Sequence, residues 1–223
     1  MSDTENPTLR DAVEHWLLVL GSALLIAVGS GFIASTGRVP GWEQGIFHGI
    51  NGLPDALESP MWLLQLPGLL FTPVIVAAVA LVFRKWVLAT MLVVFVPIKL
   101  FVEKGIVKQL VERQRPGTSI CRGDTTCGNF RDVPIEGLSF VSGHAMVTGG
   151  IAAILLPYLP RRWRWIPVVI AALNATARVY LGAHNPLDVI GGCAIGVAIG
   201  ALFHLVRLAI ERSRSEADRP NAV

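Results

Sequence analysis

The chain has 223 residues, of which 52% are hydrophobic and only 16% charged, with a formal net charge of +3. A composition this apolar, with runs approaching roughly twenty apolar residues, excludes an ordinary soluble domain, and the basic excess is too small for a nucleic-acid binder. It points to an integral membrane protein whose first partner is the lipid bilayer, with residues 1–223 forming a single all-α domain.

Residues 1–14, MSDTENPTLRDAVE, are polar and carry Asp3, Glu5, Asp11 and Glu14, unlike the basic start of a cleavable signal peptide. They read as a cytoplasmic N-terminus ahead of a retained first span. Six apolar segments follow, at about 16–36, 62–83, 86–102, 145–159, 166–182 and 189–208. Each suits a tilted helix crossing roughly 30 Å of hydrocarbon, so the expected architecture is a six-transmembrane-helix bundle with 209–223 as a cytoplasmic tail. Pro67, Pro73 and Pro97 lie in or beside the second and third segments, where lipid-embedded helices tolerate proline. In the first outer loop, Trp42, Ile46, Phe47, Ile50 and Leu53 recur at near-helical spacing. The loop therefore reads as an interfacial helix that admits lipid tails or simply anchors, with His48 exposed and uninvolved. Gly192, Gly196 and Gly200 stand four apart on one face of the last span and allow close helix approach. They serve either packing inside the bundle or the seam of a homodimer.

Basic residues orient the bundle. With the N-terminus inside, Arg10, Arg84, Lys85, Arg161, Arg162, Arg164, Arg207, Arg212, Arg214 and Arg219 are cytoplasmic, ten of the nineteen Lys and Arg. Apart from Arg38, the others gather around 99–144 and the end of the fifth span: Lys99, Lys104, Lys108, Arg113, Arg115, Arg122, Arg131 and Arg178. An outward basic cluster that resists the positive-inside tendency suggests an anion site, within an extracytoplasmic active-site loop at 103–143. Cys121 and Cys127 bracket a short polar loop there and can close a disulfide in an oxidising compartment. Cys193, in the last span, reads as a small packing residue.

Three polar clusters fall at the outer ends of spans. In SFVSGHAMV, Ser142 is a good N-cap, Gly143 permits close backbone approach and His144 sits in the first turn, so free amides and a proton donor face an anion. In ARVYLGAHNPLD, Asn185 and Pro186 open the sixth span. That puts Asp188 in its first turn, able to turn back on His184, fix the tautomer and leave the other ring nitrogen as nucleophile. Arg178 adds a forked donor for phosphate oxygens. In KQLVERQRPG, Lys108 and Arg115 share a face if the stretch is helical, with Pro116 as its stop, while Glu112 and Arg113 read as a solvated charged face.

K-x6-R-P at Lys108–Pro116, S-G-H at Ser142–His144 and R-x5-H-x3-D at Arg178–Asp188 together resemble the tripartite signature of the type 2 phosphatidic acid phosphatase superfamily. The resemblance covers 99–192 closely and the rest as a pattern of spans. Two departures are Val141, where the family usually has proline, and Ala177, where it has serine. The resemblance implies that His184, oriented by Asp188, attacks phosphorus to form a phosphohistidine, and that His144 protonates the leaving oxygen and then activates water. It implies further that Lys108, Arg115, Arg178, Ser142 and Gly143 hold the phosphoryl oxygens. No cofactor or metal is implied, since fixed cations do the electrostatic work. The implied substrate is a membrane lipid phosphate: polyprenyl diphosphate first, then phosphatidic acid or phosphatidylglycerol phosphate. Two rivals are separable: a phosphotransferase would pass the phosphoryl group to a lipid or sugar acceptor, and a lipid-binding or flipping protein would tolerate loss of either histidine.

Overall fold

The computed structural model describes residues 7–124, 126–131 and 133–217. Residues 1–6 of the expected N-terminal segment and 218–223 of the expected tail lie outside them. Among the described residues the regular structure is helical, with one isolated bridge, Gln114 to Leu138, and no sheet. This follows from composition, because in hydrocarbon a helix satisfies each backbone N–H and C=O within its own segment.

Helices α1 (Pro7–Ser35), α2 (Gly41–Asn51), α3 (Glu58–Gln65), α4 (Thr72–Val82) and α5 (Trp86–Leu100) come first. The last continues through a π-helical stretch, Phe101–Val107, into the short α6, Lys108–Leu110. After α7 (Pro116–Ser119) a loop leads to α8 (Gly143–Leu155), α9 (Trp165–Tyr180) and α10 (Pro186–Ala217). Among the described residues, three helices are long and apolar enough to cross a membrane: Leu9–Ser35, Trp86–Leu110 and Pro186–Ser215. The pair Asp55–Gly68 and Thr72–Val82, bent by 64°, makes a fourth if counted as one span, and Gly143–Tyr158 is a shorter apolar helix. Leu18, Leu25, Phe32, Val82 and Phe83 turn their side chains outward, as lipid-facing positions do.

The segment expected as one helix over 62–83 is broken. Pro67 lies in the 3-10 turn Leu66–Gly68, and Pro73 stands in the first turn of α4, where its missing N–H would have no helical partner. The polar flanks, by contrast, are helical. In α1 Leu9, Ala12 and Val13 pack with Trp16 of the same helix against Ala201 and Leu208 of α10. Helix α10 likewise runs past 208, to Ala217.

Helix α10 is central, packed along α1 and α8. The glycine face, expected to serve either packing inside the bundle or a homodimer seam, is occupied by α8 of the same chain. A methyl on Gly192 would meet the Ser142 carbonyl oxygen, one on Gly196 the Met146 carbonyl oxygen, and one on Gly200 the Ala153 methyl. Backbone atoms at a helix seam cannot step aside as a flexible side chain can, so Gly196→Ala is expected to cost about 1–3 kcal/mol. An earlier thermal transition in detergent, with no change in oligomeric state, is the measurement that checks this.

Helix α2 buries Glu43, Phe47 and Asn51, at successive turns, and turns Trp42 and Ile46 outward; His48 is exposed as expected. Asn51 donates to the carbonyls of Asn129 (2.7 Å) and Tyr180 (2.9 Å). Arg131, expected in the anion-attracting cluster, is instead a clamp. It donates to the carbonyls of Tyr180 (2.6 Å), Asn51 (3.1 Å) and Leu53 (3.2 Å) and lies 3.9 Å over the Tyr180 ring. These bonds tie the long loop and α2 to the end of α9, the end at which the polar clusters meet.

Candidate active site

The C-terminal end of α5–α6, the N-terminal end of α8, the C-terminal end of α9 and the turn before α10 surround one cavity of about 250 Å³. Its wall includes His144, His184, Gly143 and five cations, Lys99, Lys104, Lys108, Arg115 and Arg178, together with Glu103. Gly68, Leu70 and Leu100 complete it from the broken helix pair and α5. Residues from three distant stretches therefore face one small volume.

His184 sits in the turn between α9 and α10 and is 3% exposed. Burial pushes its pKa from 6.5 down to about 4, with Arg178 and Arg115 acting the same way and Asp188 opposing them. At neutral pH the imidazole is therefore uncharged, the form a nucleophile requires. Asp188 lies behind it in the first turn of α10 and is fully buried. Its Oδ2 stands 3.8 Å from His184 Nδ1, beyond hydrogen-bond reach. Ser139 fills the gap: its hydroxyl donates to Asp188 Oδ2 at 2.5 Å and stands 3.3 Å from His184 Nδ1. With its proton committed to the carboxylate, Ser139 Oγ accepts from Nδ1–H and leaves Nε2 unprotonated. Asp188 Oδ2 also accepts from the Asn185 backbone N–H (2.8 Å) and side-chain amide (3.2 Å), and Oδ1 accepts from Arg113 Nη1 (3.2 Å). Ser139→Ala should remove the tautomer-fixing acceptor and lower kcat about 100-fold at unchanged KM, as read by steady-state phosphate release. An unchanged kcat would mean that the aspartate reaches the imidazole unaided.

Glu103 is a buried acid inside a basic cavity. Its carboxylate pairs with Lys99 and, at 3.0 Å, with Lys108. A Cβ on Gly143 would lie 2.7 Å from Glu103 Oε1, so only glycine lets this acid rest against the start of α8. Arg115 donates to the Ala183 carbonyl at 2.8 Å, which fixes one arm of its guanidinium beside the His184 turn. Arg178, in the last turn of α9, donates to Gln65 Oε1, while its buried Nε has no hydrogen-bond partner.

Several sequence expectations change. Lys108 and Arg115 line one cavity, but not from one helical face: the helix ends at Leu110, Arg115 is extended, and Pro116 starts α7 instead of stopping a helix. Arg113, expected to be solvated, is the most completely buried arginine of the site, with 0% side-chain exposure, because Glu43 and Asp188 both bind it. Ser142 does not line the cavity; its hydroxyl accepts from Ala145 N at 3.5 Å as the cap of α8. Val141 and Ala177, the two departures from the family pattern, are fully buried and also absent from the cavity wall. Cys121 and Cys127 are joined as a disulfide with Cα atoms 5.5 Å apart, and Cys193 packs beside Phe47, Ala145, Val179 and Val189. Among the described residues, no three His, Cys, Asp or Glu side chains converge to hold a metal ion.

Sequence reasoning missed Glu103, Ser139, Arg113, Glu43 and Gln65. Glu103 carried a usable signal: it stands four residues after Lys99 in an otherwise apolar run, where ionisable groups are costly and paired. Ser139 carried none, since a loop residue has no period to show which way it faces, whereas Glu43 shares a helical face with Phe47 and Asn51 but its distant partners leave no local trace.

Residues 72–212 match the PAP2 superfamily, and the chain belongs to it. Among curated relatives, decaprenylphosphoryl-5-phosphoribose phosphatase of Mycobacterium tuberculosis is 34% identical over 111 residues, 49% of this chain and 56% of its own length. Phosphatidylglycerophosphatase B of Bacillus subtilis is 32% identical over 146 residues, 60% of this chain and 64% of its own. Undecaprenyl-diphosphatase of Sulfolobus acidocaldarius is 45% identical over 65 residues, 29% and 31% of the two chains. Each match spans less than two thirds of the relative's length. A crystal structure of the transmembrane PAP2-type phosphatidylglycerolphosphate phosphatase from Bacillus subtilis aligns over 96% of this chain and 98% of that one, with a TM-score of 0.46 and 24% identity.

Proposed function

We propose that the protein is an integral-membrane phosphatase that hydrolyses a lipid phosphate or diphosphate through a phosphohistidine. The observation that carries this reading is the meeting of a neutral, oriented His184 with His144 and five cations in one cavity edged by Leu70 and Leu100. In the first step His184 Nε2 attacks phosphorus, a P–N bond forms, and the bond to the leaving oxygen breaks as His144, which gains its proton when the phosphate anion binds beside it, gives that proton to the oxygen. In the second step His144 takes a proton from water, whose oxygen attacks phosphorus; the P–N bond breaks and inorganic phosphate leaves with His184 neutral again. Lys108, Arg115 and Arg178, with the Gly143 amide at the helix N-terminus, stabilise the charge on the phosphoryl oxygens, so the electrostatic work assigned elsewhere to a metal falls to protein cations. Ser142 contributes by fixing the start of α8 and keeps a phosphate-contact role only if the cap bond is exchanged on binding.

In this reading the six spans are α1, the bent α3–α4 pair, α5–α6, α8, α9 and α10. The cavity end faces out of the cell, because Arg84, Lys85, Arg161, Arg162, Arg164, Arg207, Arg212 and Arg214 belong to the opposite helix ends. Both termini are then cytoplasmic in the cell membrane. A phosphate site edged by leucines suits an amphiphile lying with its head at the interface. Polyprenyl diphosphate is the preferred substrate, a choice supported by relatives named for undecaprenyl diphosphate and a decaprenyl phosphosugar. The test is phosphate release by purified protein from polyprenyl diphosphate, polyprenyl phosphate, phosphatidic acid and phosphatidylglycerol phosphate, with labelled lipid acceptors present. Release fastest from the diphosphate and insensitive to EDTA supports the reading. Transfer of label to an acceptor makes the protein a phosphotransferase, and no turnover of any lipid rejects the catalytic reading.

A further inference from the structure

We infer that Glu43 and Arg113 are positioning residues for the nucleophile, acting on His184 through Asp188 and Ser139. The inference rests on the phosphohistidine reading above. Arg113 and Glu43 form a two-armed pair, Nη2 to Oε2 at 2.6 Å and Nη1 to Oε1 at 3.0 Å, and both side chains are wholly buried. Neither reaches the cavity, so neither touches substrate.

What they touch instead is the apparatus that holds His184. Arg113 Nη1 donates to Asp188 Oδ1 at 3.2 Å, leaving Oδ2 to Ser139 and Asn185. The Arg113 backbone carbonyl accepts from the Ser139 N–H at 2.7 Å, which sets the hydroxyl between Asp188 and the imidazole. Glu43 Oε1 accepts from the Leu187 N–H at 2.9 Å, one residue before Asp188 and at the positive start of α10. One arginine therefore fixes both groups that hold the His184 ring, and one glutamate fixes the arginine and the helix turn bearing the carboxylate.

Stability alone gives this pair little purpose. A buried ion pair recovers little beyond its desolvation cost, and apolar side chains of similar volume hold such a space equally well. Apolar side chains cannot hold a carboxylate at a set angle to an imidazole. Two buried acids sharing one guanidinium do so only while all three keep their charges. Fixed charges in partners of the reacting group are worth about 10- to 100-fold in activity.

The test is a double-mutant cycle on kcat, followed by labelled-phosphate release, with Glu43→Gln, Asp188→Asn and the double variant. Glu43→Gln is expected to lower kcat about 10- to 100-fold with KM and vanadate affinity within about twofold. In the Asp188→Asn background it is expected to cost less than about twofold, because its route to His184 is already cut. Glu43→Asp, which keeps the charge, should recover part of the loss. Equal losses in both backgrounds, a rise in KM with kcat intact, or full activity of Glu43→Gln would each overturn the inference. Where Glu43→Gln does not fold, Arg113→Lys replaces it in the same cycle and is judged by the same outcomes. Turnover retained by His184→Ala would defeat the phosphohistidine reading itself, whereas an inactive His184→Ala beside a fully active Glu43→Gln defeats this inference alone.

Discussion

Replacing His184 with alanine is expected to lower kcat by about 10⁴-fold or more while the protein remains folded, because the chemical route loses its nucleophile and retains only the cations that polarise the phosphoryl group. The residual rate would come from water attacking a phosphate held by Lys108, Arg115 and Arg178, with His144 still able to donate a proton. The comparison that identifies the step is with His144→Ala. That variant keeps the nucleophile, so with an aryl phosphate, whose leaving group needs no proton, His184 is expected to become phosphorylated and then to hydrolyse slowly. Acid-labile, alkali-stable phosphate should accumulate on His144→Ala and be absent from His184→Ala. Covalent phosphate on His184→Ala would sink the assignment, since the nucleophile would then be another cavity group, His144 being the other imidazole that lines it.

Helix identity and the three stretches that meet at the cavity were legible because each is a local property. An apolar run shows itself in composition, and His184 and Asp188 stand four apart on either side of a helix start that Asn185 and Pro186 mark. Register within polar segments was not legible. Pro116 is compatible with ending one helix or beginning another; what decides is that Arg115 must be extended before a proline, and the structure uses the second option with Arg115 at φ −65°, ψ 160°. Arg113 reads as solvated because it lies between Glu112 and Gln114 in a polar run. Its burial depends on Glu43, 70 positions earlier, and on Asp188, 75 positions later. Hydropathy describes each residue against water, whereas the fate of an ionisable residue near a membrane is set by the partner it finds, and pairs at such separations leave no trace in a window. The same holds for the glycine face of α10: spacing four apart announces close approach but not whether the approaching helix belongs to the same chain.

Arg178→Lys is expected to lower kcat/KM about 1,000-fold, the second largest loss at this site, although the charge is kept. The guanidinium lines the cavity and is held at one corner by Gln65, so its planar fork has a fixed direction. In the proposed reaction a planar fork of fixed direction is matched to the charge that grows on the equatorial phosphoryl oxygens in the transition state. Lysine supplies a mobile point charge with no planar fork, and it leaves the Gln65 carbonyl oxygen without its partner. The loss should fall mainly on kcat, because a ground-state phosphate can still be held by Lys108 and Arg115, whereas the trigonal transition state needs donors already in its plane. Steady-state kinetics with one lipid phosphate, read beside the affinity for vanadate as a mimic of that geometry, separate the two. A variant with weakened substrate binding and normal kcat would make Arg178 a general anion anchor, and an unimpaired variant would remove it from the site.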